Sequence, residues 1–120
     1  MAEHTLPPCP KSPNCVCTQD PRPARRPEPV AFDGTAEQAM AAVLDVLHAE
    51  PRTRIVEQTP TYVHAVVSTR FLRFRDDVEF LIDREQKVIH YRSAARVGWW
   101  DFGVNRKRMK RLSDELNQRP

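Results

Sequence analysis

Long apolar runs are missing from this chain: nothing in it approaches the ~18 consecutive apolar residues of a membrane span. Its opening residues, Met-Ala-Glu-His-Thr-Leu-Pro-Pro, lack the basic start and apolar run of an export signal. As written, the sequence reads as cytoplasmic, with an exported or lipoprotein location applying if a leader is removed. Histidine is scarce, at four residues. His48 falls in a helical stretch and His64 and His90 in strand-like ones, so no general-base pair is apparent. No internal repeat and no nucleic-acid reading motif is present, and the net charge is only +3, which excludes nucleic acid as an expected partner. Cysteine is confined to Cys9, Cys15 and Cys17, an odd number that argues against a settled disulfide scaffold. Their spacing, with His4 upstream, matches no common zinc pattern, so no metal is expected. Reduced surface thiols in the cytosol are the preferred reading, and a Cys9–Cys15 disulfide in an oxidising compartment stays open.

What is present fits one domain of 120 residues with 40% apolar and 29% charged content. Residues 1–30 hold eight of the eleven prolines and no apolar alternation. They read as a Pro/Cys-rich extended segment that adds little to a core. Residues 31–120 read as a single α+β domain. Thr35 and Gln38 form a capping box for a helix at about 36–49, with Ala36, Met40, Val43, Leu44 and Leu47 at helical spacing. Strand-like stretches follow, and a last helix begins near Gly103 with Met109, Leu112 and Leu116 inward. The expected fold is a four-stranded antiparallel meander sheet with two helices packed on one face. A four-residue turn at 84–87 pairs Asp83 with Val88, which sets Ile82 against Ile89 and Phe80 against Tyr91. The other face then sets Glu79 opposite Arg92 and Leu81 opposite His90.

The segment from Asp76 to Leu112 concentrates acids, arginines, both tryptophans and two of the three glycines. Arg106, Lys107 and Arg108 crowd the positive end of the last helix, where cations are disfavoured, and Asp101 can cap it. Arg92, Arg96 and Arg106 are therefore expected to converge there as an anion site, with Asp76, Asp77, Glu79 and Asp101 as supporting acids. Internal neutralisation of those acids is the competing outcome. Trp99 and Trp100 can dock on lipid headgroups, although one plugging the core edge is the commoner use. The expected function is a non-catalytic binding module for an anionic small molecule, a lipid or a protein partner, needing no cofactor. One alternative is a hydrolase-like enzyme using Asp76, Asp77 or Glu79 as acid and base. The other is a structural protein with an internal ion-pair network and a protein partner.

Three ordered motifs carry a family resemblance: Cys-Pro-Lys-Ser-Pro-Asn-Cys-Val-Cys, Asp-Asp-Val-Glu-Phe, and Arg-Ser-Ala-Ala-Arg-Val-Gly followed by Asp-Phe-Gly-Val-Asn-Arg. Together they resemble the domain of unknown function 1499 family over nearly the whole chain. The resemblance implies no reaction. It implies export or a transit sequence for many members, which this chain's start does not match, and Cys17 stands where Ser is usual.

Overall fold

The hairpin at the centre of the sequence is also the centre of the sheet. In the computed structural model, which describes residues 5–70, 74–98 and 100–118, strands β5 (Arg75–Asp83) and β6 (Val88–Ala95) pair antiparallel. Their register sets Ile82 against Ile89, Phe80 against Tyr91, Leu81 against His90 and Glu79 against Arg92, as the alternation requires. Strand β4 (Tyr62–Ser68) pairs with β5, and β3 (Thr53–Gln58) with β4. The expected roles of His4 and Trp99, and of residues 71–73 as a strand extension, lie outside the described residues.

The sheet has six strands, not four. Strands β1 (Cys15–Cys17) and β2 (Val30–Ala31) both pair with the outer edge of β6, giving the order β1-β6-β5-β4-β3 with β2 also on β6. Strands of three and two residues are too short to display a period of two, so the prolines around them dominate the sequence pattern. Proline removes a backbone donor but leaves its carbonyl as an acceptor. Arginines supply the missing donors: Arg22 Nη2 donates to the carbonyls of Cys9 and Pro10, and Arg25 donates to those of Lys11 and Ser12.

Helices α1 (Ala36–Ala49) and α2 (Val104–Asn117) cover one face of the sheet. Thr35 and Gln38 form the capping box of α1. Met40, Val43, Val46 and Leu47 of α1 and Met109, Leu112 and Leu116 of α2 join Val63, Val78, Phe80, Ile82, Ile89 and Tyr91 in the main core. Val16 and Val30 belong to that core, so the amino-terminal segment contributes more than its proline content suggests.

On the far face, Leu6, Cys9, Cys15 and Cys17 pack with Leu81 and Ala94 in a second apolar cluster. Cys9 and Cys15 are joined by a disulfide with a Cα–Cα distance of 5.7 Å, and Cys17 is a buried free thiol. The cysteines are therefore not surface thiols: β1 turns Cys15 and Cys17 inward against Ala94 and Leu81. Burial raises the Cys17 pKa, against the hydrogen bond its sulfur accepts from the Gln19 amide.

His90 also lies on this face, with Nδ1 2.9 Å from Thr18 Oγ1. Burial lowers its pKa below the ordinary imidazole value. As pH falls through about 6.5, the unfolded chain takes up a proton that folded His90 resists. The unfolded state then binds more protons, and stability declines toward acid. Replacing His90 with Gln should flatten that decline between about pH 7 and 5. Urea midpoints for the two proteins that stay parallel across the window would contradict this.

Candidate functional site

Strand parity decides where the charges go. Asp76 is in phase with Val78, Phe80 and Ile82, so it faces the helices, and Ser93 is in phase with Ile89 and Tyr91. On α2, Asn105 and Arg108 fall on the same stripe as Met109, Leu112 and Leu116. The four polar residues are buried and meet. Arg108 Nη2 donates to Asp76 Oδ2 at 2.8 Å, and Nη1 donates to Asn105 Oδ1 at 2.9 Å and Ser93 Oγ at 3.2 Å. Ser93 Oγ also donates to Asn105 Oδ1. Asp101 closes the group from the helix start. Its carboxylate accepts from the Gly103 amide at 2.9 Å, the Asn105 amide at 3.0 Å and Asn105 Nδ2 at 2.8 Å. That satisfies amides at the helix start which have no intrahelical partner.

Above this network lies a cleft of ≈ 890 Å³. Asp76 and Arg108 line its base, and Val67, Phe74, Ala95, Val97, Trp100 and Phe102 form apolar walls. Lys107, Arg52 and Arg111 stand among its lining cations. Arg111 is already engaged: its guanidinium donates to both oxygens of Glu50, at 2.8 and 2.7 Å. Lys107 has no side-chain hydrogen bond or ion pair among the described residues. Arg52 uses Nε on the Ser68 carbonyl, at 3.1 Å.

The three arginines expected to converge do not. Arg92 and Arg96 are out of phase with Tyr91 and Ser93, so they occupy the far face, while Arg106 is exposed on α2. Arg92 Nη1 donates to Glu79 Oε1 at 3.3 Å, and the Tyr62 hydroxyl donates to Glu79 Oε2 at 2.6 Å. Burial and that carboxylate both raise the Tyr62 pKa. Arg96 holds Asp77 with two bonds of 2.9 Å, and His64 Nε2 lies 2.7 Å from the same carboxylate. Burial pulls the Asp77 pKa up, but the hydrogen bonds from Arg96 and His64 outweigh it and hold the pKa below the ordinary value. Each of these three acids is held by an arginine. Asp76 is therefore separated by the sheet from Asp77 and Glu79, which share the far face.

The family described as Protein of unknown function (DUF1499) matches residues 5–116. The chain belongs to the DUF1499 family. No curated protein matches it. In this DUF1499 domain the match runs from the clip, the segment closed by the Cys9–Cys15 disulfide, through to α2 and so includes every described element that builds the cleft. Asn14 of the clip supports the cleft directly, donating to the Gly98 carbonyl at 2.7 Å.

The sequence marks Arg108 only as one of three cations at the start of the last helix, and it does not single out Asn105 or Ser93. The signal for all three was positional: two polar residues on an otherwise apolar helical stripe, and one on the core phase of β6. Such residues need buried partners, and finding them requires pairing two elements distant in sequence. Among the described residues no group of three or more His, Cys, Asp or Glu is placed to hold a metal, and no helix is long and apolar enough to cross a membrane.

Proposed function

We propose that this DUF1499 domain is a non-catalytic binding module for an amphipathic anion, whose apolar body enters the cleft while its charged group meets Lys107 and Arg52. One observation carries the reading. Six large apolar side chains are exposed among the described residues, and all but Val56 line this one cleft: Phe74, Val97, Trp100, Phe102 and Val104. Scattered apolar residues need no explanation, but a concave cluster with a few polar groups is the usual form of a ligand site. The ion pair beneath it supports the reading further. Asp76 and Arg108 are bonded to each other, and Arg108 also to Ser93 and Asn105, so they fix the floor while Lys107 and Arg52 stand at the lining.

Dodecyl phosphate, kept below its aggregation concentration, is a suitable probe. Calorimetric titration should give saturable one-to-one binding, with inorganic phosphate and dodecyltrimethylammonium each weaker by roughly tenfold or more. Replacing Lys107 with Glu should weaken dodecyl phosphate binding by about tenfold. Absence of saturable binding, or equal affinity for the cationic detergent, would overturn the reading.

A further inference from the structure

We propose that the cleft-bearing end of the domain docks onto an anionic phospholipid bilayer. The inference goes beyond the ligand reading, since docking requires no occupant in the cleft. It starts from topology. The start of β3, the end of β4, the start of β5, the end of β6 and the entry to α2 all lie at one end of the antiparallel sheet. That end carries two unlike surfaces, one toward each face of the sheet, which meet at its tip.

The first is the aromatic rim. Trp100 and Phe102 stack edge to face with ring centroids 6.1 Å apart, and Phe102 is 77% exposed. The backbone holds it there at a price in strain. Phe102 has φ 58 and the next residue, Gly103, has φ 76, two successive left-handed residues. A bulky residue rarely adopts that conformation, and strain of this kind concentrates where a segment binds something. Val97 and Phe74 project at the same end.

The second surface is a hollow of ≈ 670 Å³ beside the cleft. It is lined by Arg52, Arg54, Arg70 and Arg75 with Thr53, Ser68, Thr69 and Val66, and by no acid. Arg52, Ser68, Thr69 and Arg70 line both the hollow and the cleft. Arg54 and Arg75 have no side-chain hydrogen bond or ion pair among the described residues. The planar donors of Arg54 and Arg75 are thus available, and they match phosphate oxygens.

A flat anionic lipid surface meets both features in one contact. Its phosphates face the arginine hollow, and its headgroup boundary takes the tryptophan and phenylalanine tips, where such side chains are favoured. Free phosphate would use the hollow alone and make no use of the exposed aromatic tips beside it. Charge complementarity thus selects the occupant that the apolar tips alone leave open.

The test is co-sedimentation of the full chain with unilamellar vesicles, free of any added ligand. Vesicles of equal parts phosphatidylglycerol and phosphatidylcholine should bind it roughly tenfold or more tightly than phosphatidylcholine alone, with binding falling as salt rises. The pair Trp100→Ala with Phe102→Ala, and separately the pair Arg54→Glu with Arg75→Glu, should each reduce binding by roughly tenfold. All four side chains are exposed, so melting temperatures should be retained. Phe102→Leu, which keeps an apolar tip, should bind as the parent does. No binding to phosphatidylglycerol vesicles overturns the proposal and turns attention to a protein partner. So does binding that survives loss of both aromatic tips, or release by millimolar inorganic phosphate at constant ionic strength. Vesicle binding lost while dodecyl phosphate still titrates in vesicle-free solution removes docking alone; the converse removes the ligand reading alone.

Discussion

Replacing Arg108 with Ala should destabilise the domain by about 3–5 kcal/mol, because it strands the buried Asp76 carboxylate. The Arg108 and Asp76 side chains are only 7% and 3% exposed, so the carboxylate loses its charged partner in a largely desolvated position. Ser93 and Asn105 lose their shared donor in the same step. Domains of this kind are stable by about 5–15 kcal/mol in total, so the variant should be marginal. The double replacement Arg108→Met with Asp76→Leu should recover much of the loss, since no charge is then left buried. Arg106→Ala is the control. Arg106 is exposed and makes no ion pair among the described residues, and its loss should stay within about 0.5 kcal/mol. Urea denaturation of the four proteins separates these outcomes. An Arg108→Ala variant within about 1 kcal/mol of the parent would mean that the ion pair does not organise the site.

Deleting residues 1–20 should lower the melting temperature by more than about 15 °C or abolish cooperative unfolding. The deletion removes the buried Leu6, Cys15, Val16 and Cys17. Burying an apolar side chain of Val or Leu size contributes roughly 1.5–3 kcal/mol. The disulfide contributes about 2 kcal/mol more for its short loop. Loss of β1 also uncovers part of the outer edge of β6, a strand then free to pair with another chain. Removing Asn14 withdraws its bond to the Gly98 carbonyl, so the truncated protein should lose order in the aromatic rim as well. A truncated chain that melts within a few degrees of the full one would show that the clip is an ornament of the fold.

Periodicity made the centre of this fold legible and its margins opaque. Asp83 to Val88 is a short polar turn between two alternating runs, so apolar pairing alone fixed Glu79 against Arg92. The capping box at Thr35 was equally local. Strands β1 and β2 were hidden because two or three residues carry no period, and because their hydrogen-bond partners lie more than fifty residues away on β6. The arginine cluster was misplaced for a different reason. The same parity that pairs Glu79 with Arg92 puts Arg92 and Arg96 on the face away from Phe80 and Tyr91, and hence away from α2. Charge density along the sequence suggested convergence, while alternation forbade it. Asp76 and Arg108 shared the core phase of their own elements, which only burial in a common layer turns into an ion pair.

The most direct test of the account is where a ligand touches. Amide and indole nitrogen–proton NMR spectra of the isotopically labelled protein should be followed during titration with monomeric dodecyl phosphate. The account predicts shifts at the Trp100 indole and at the amides of Val67, Ser68, Phe74, Val97, Phe102 and Lys107, with the far face unchanged. Shifts centred instead on Glu79, Arg92, Asp77 and Arg96, or no shifts at concentrations that saturate the calorimetric signal, would contradict it.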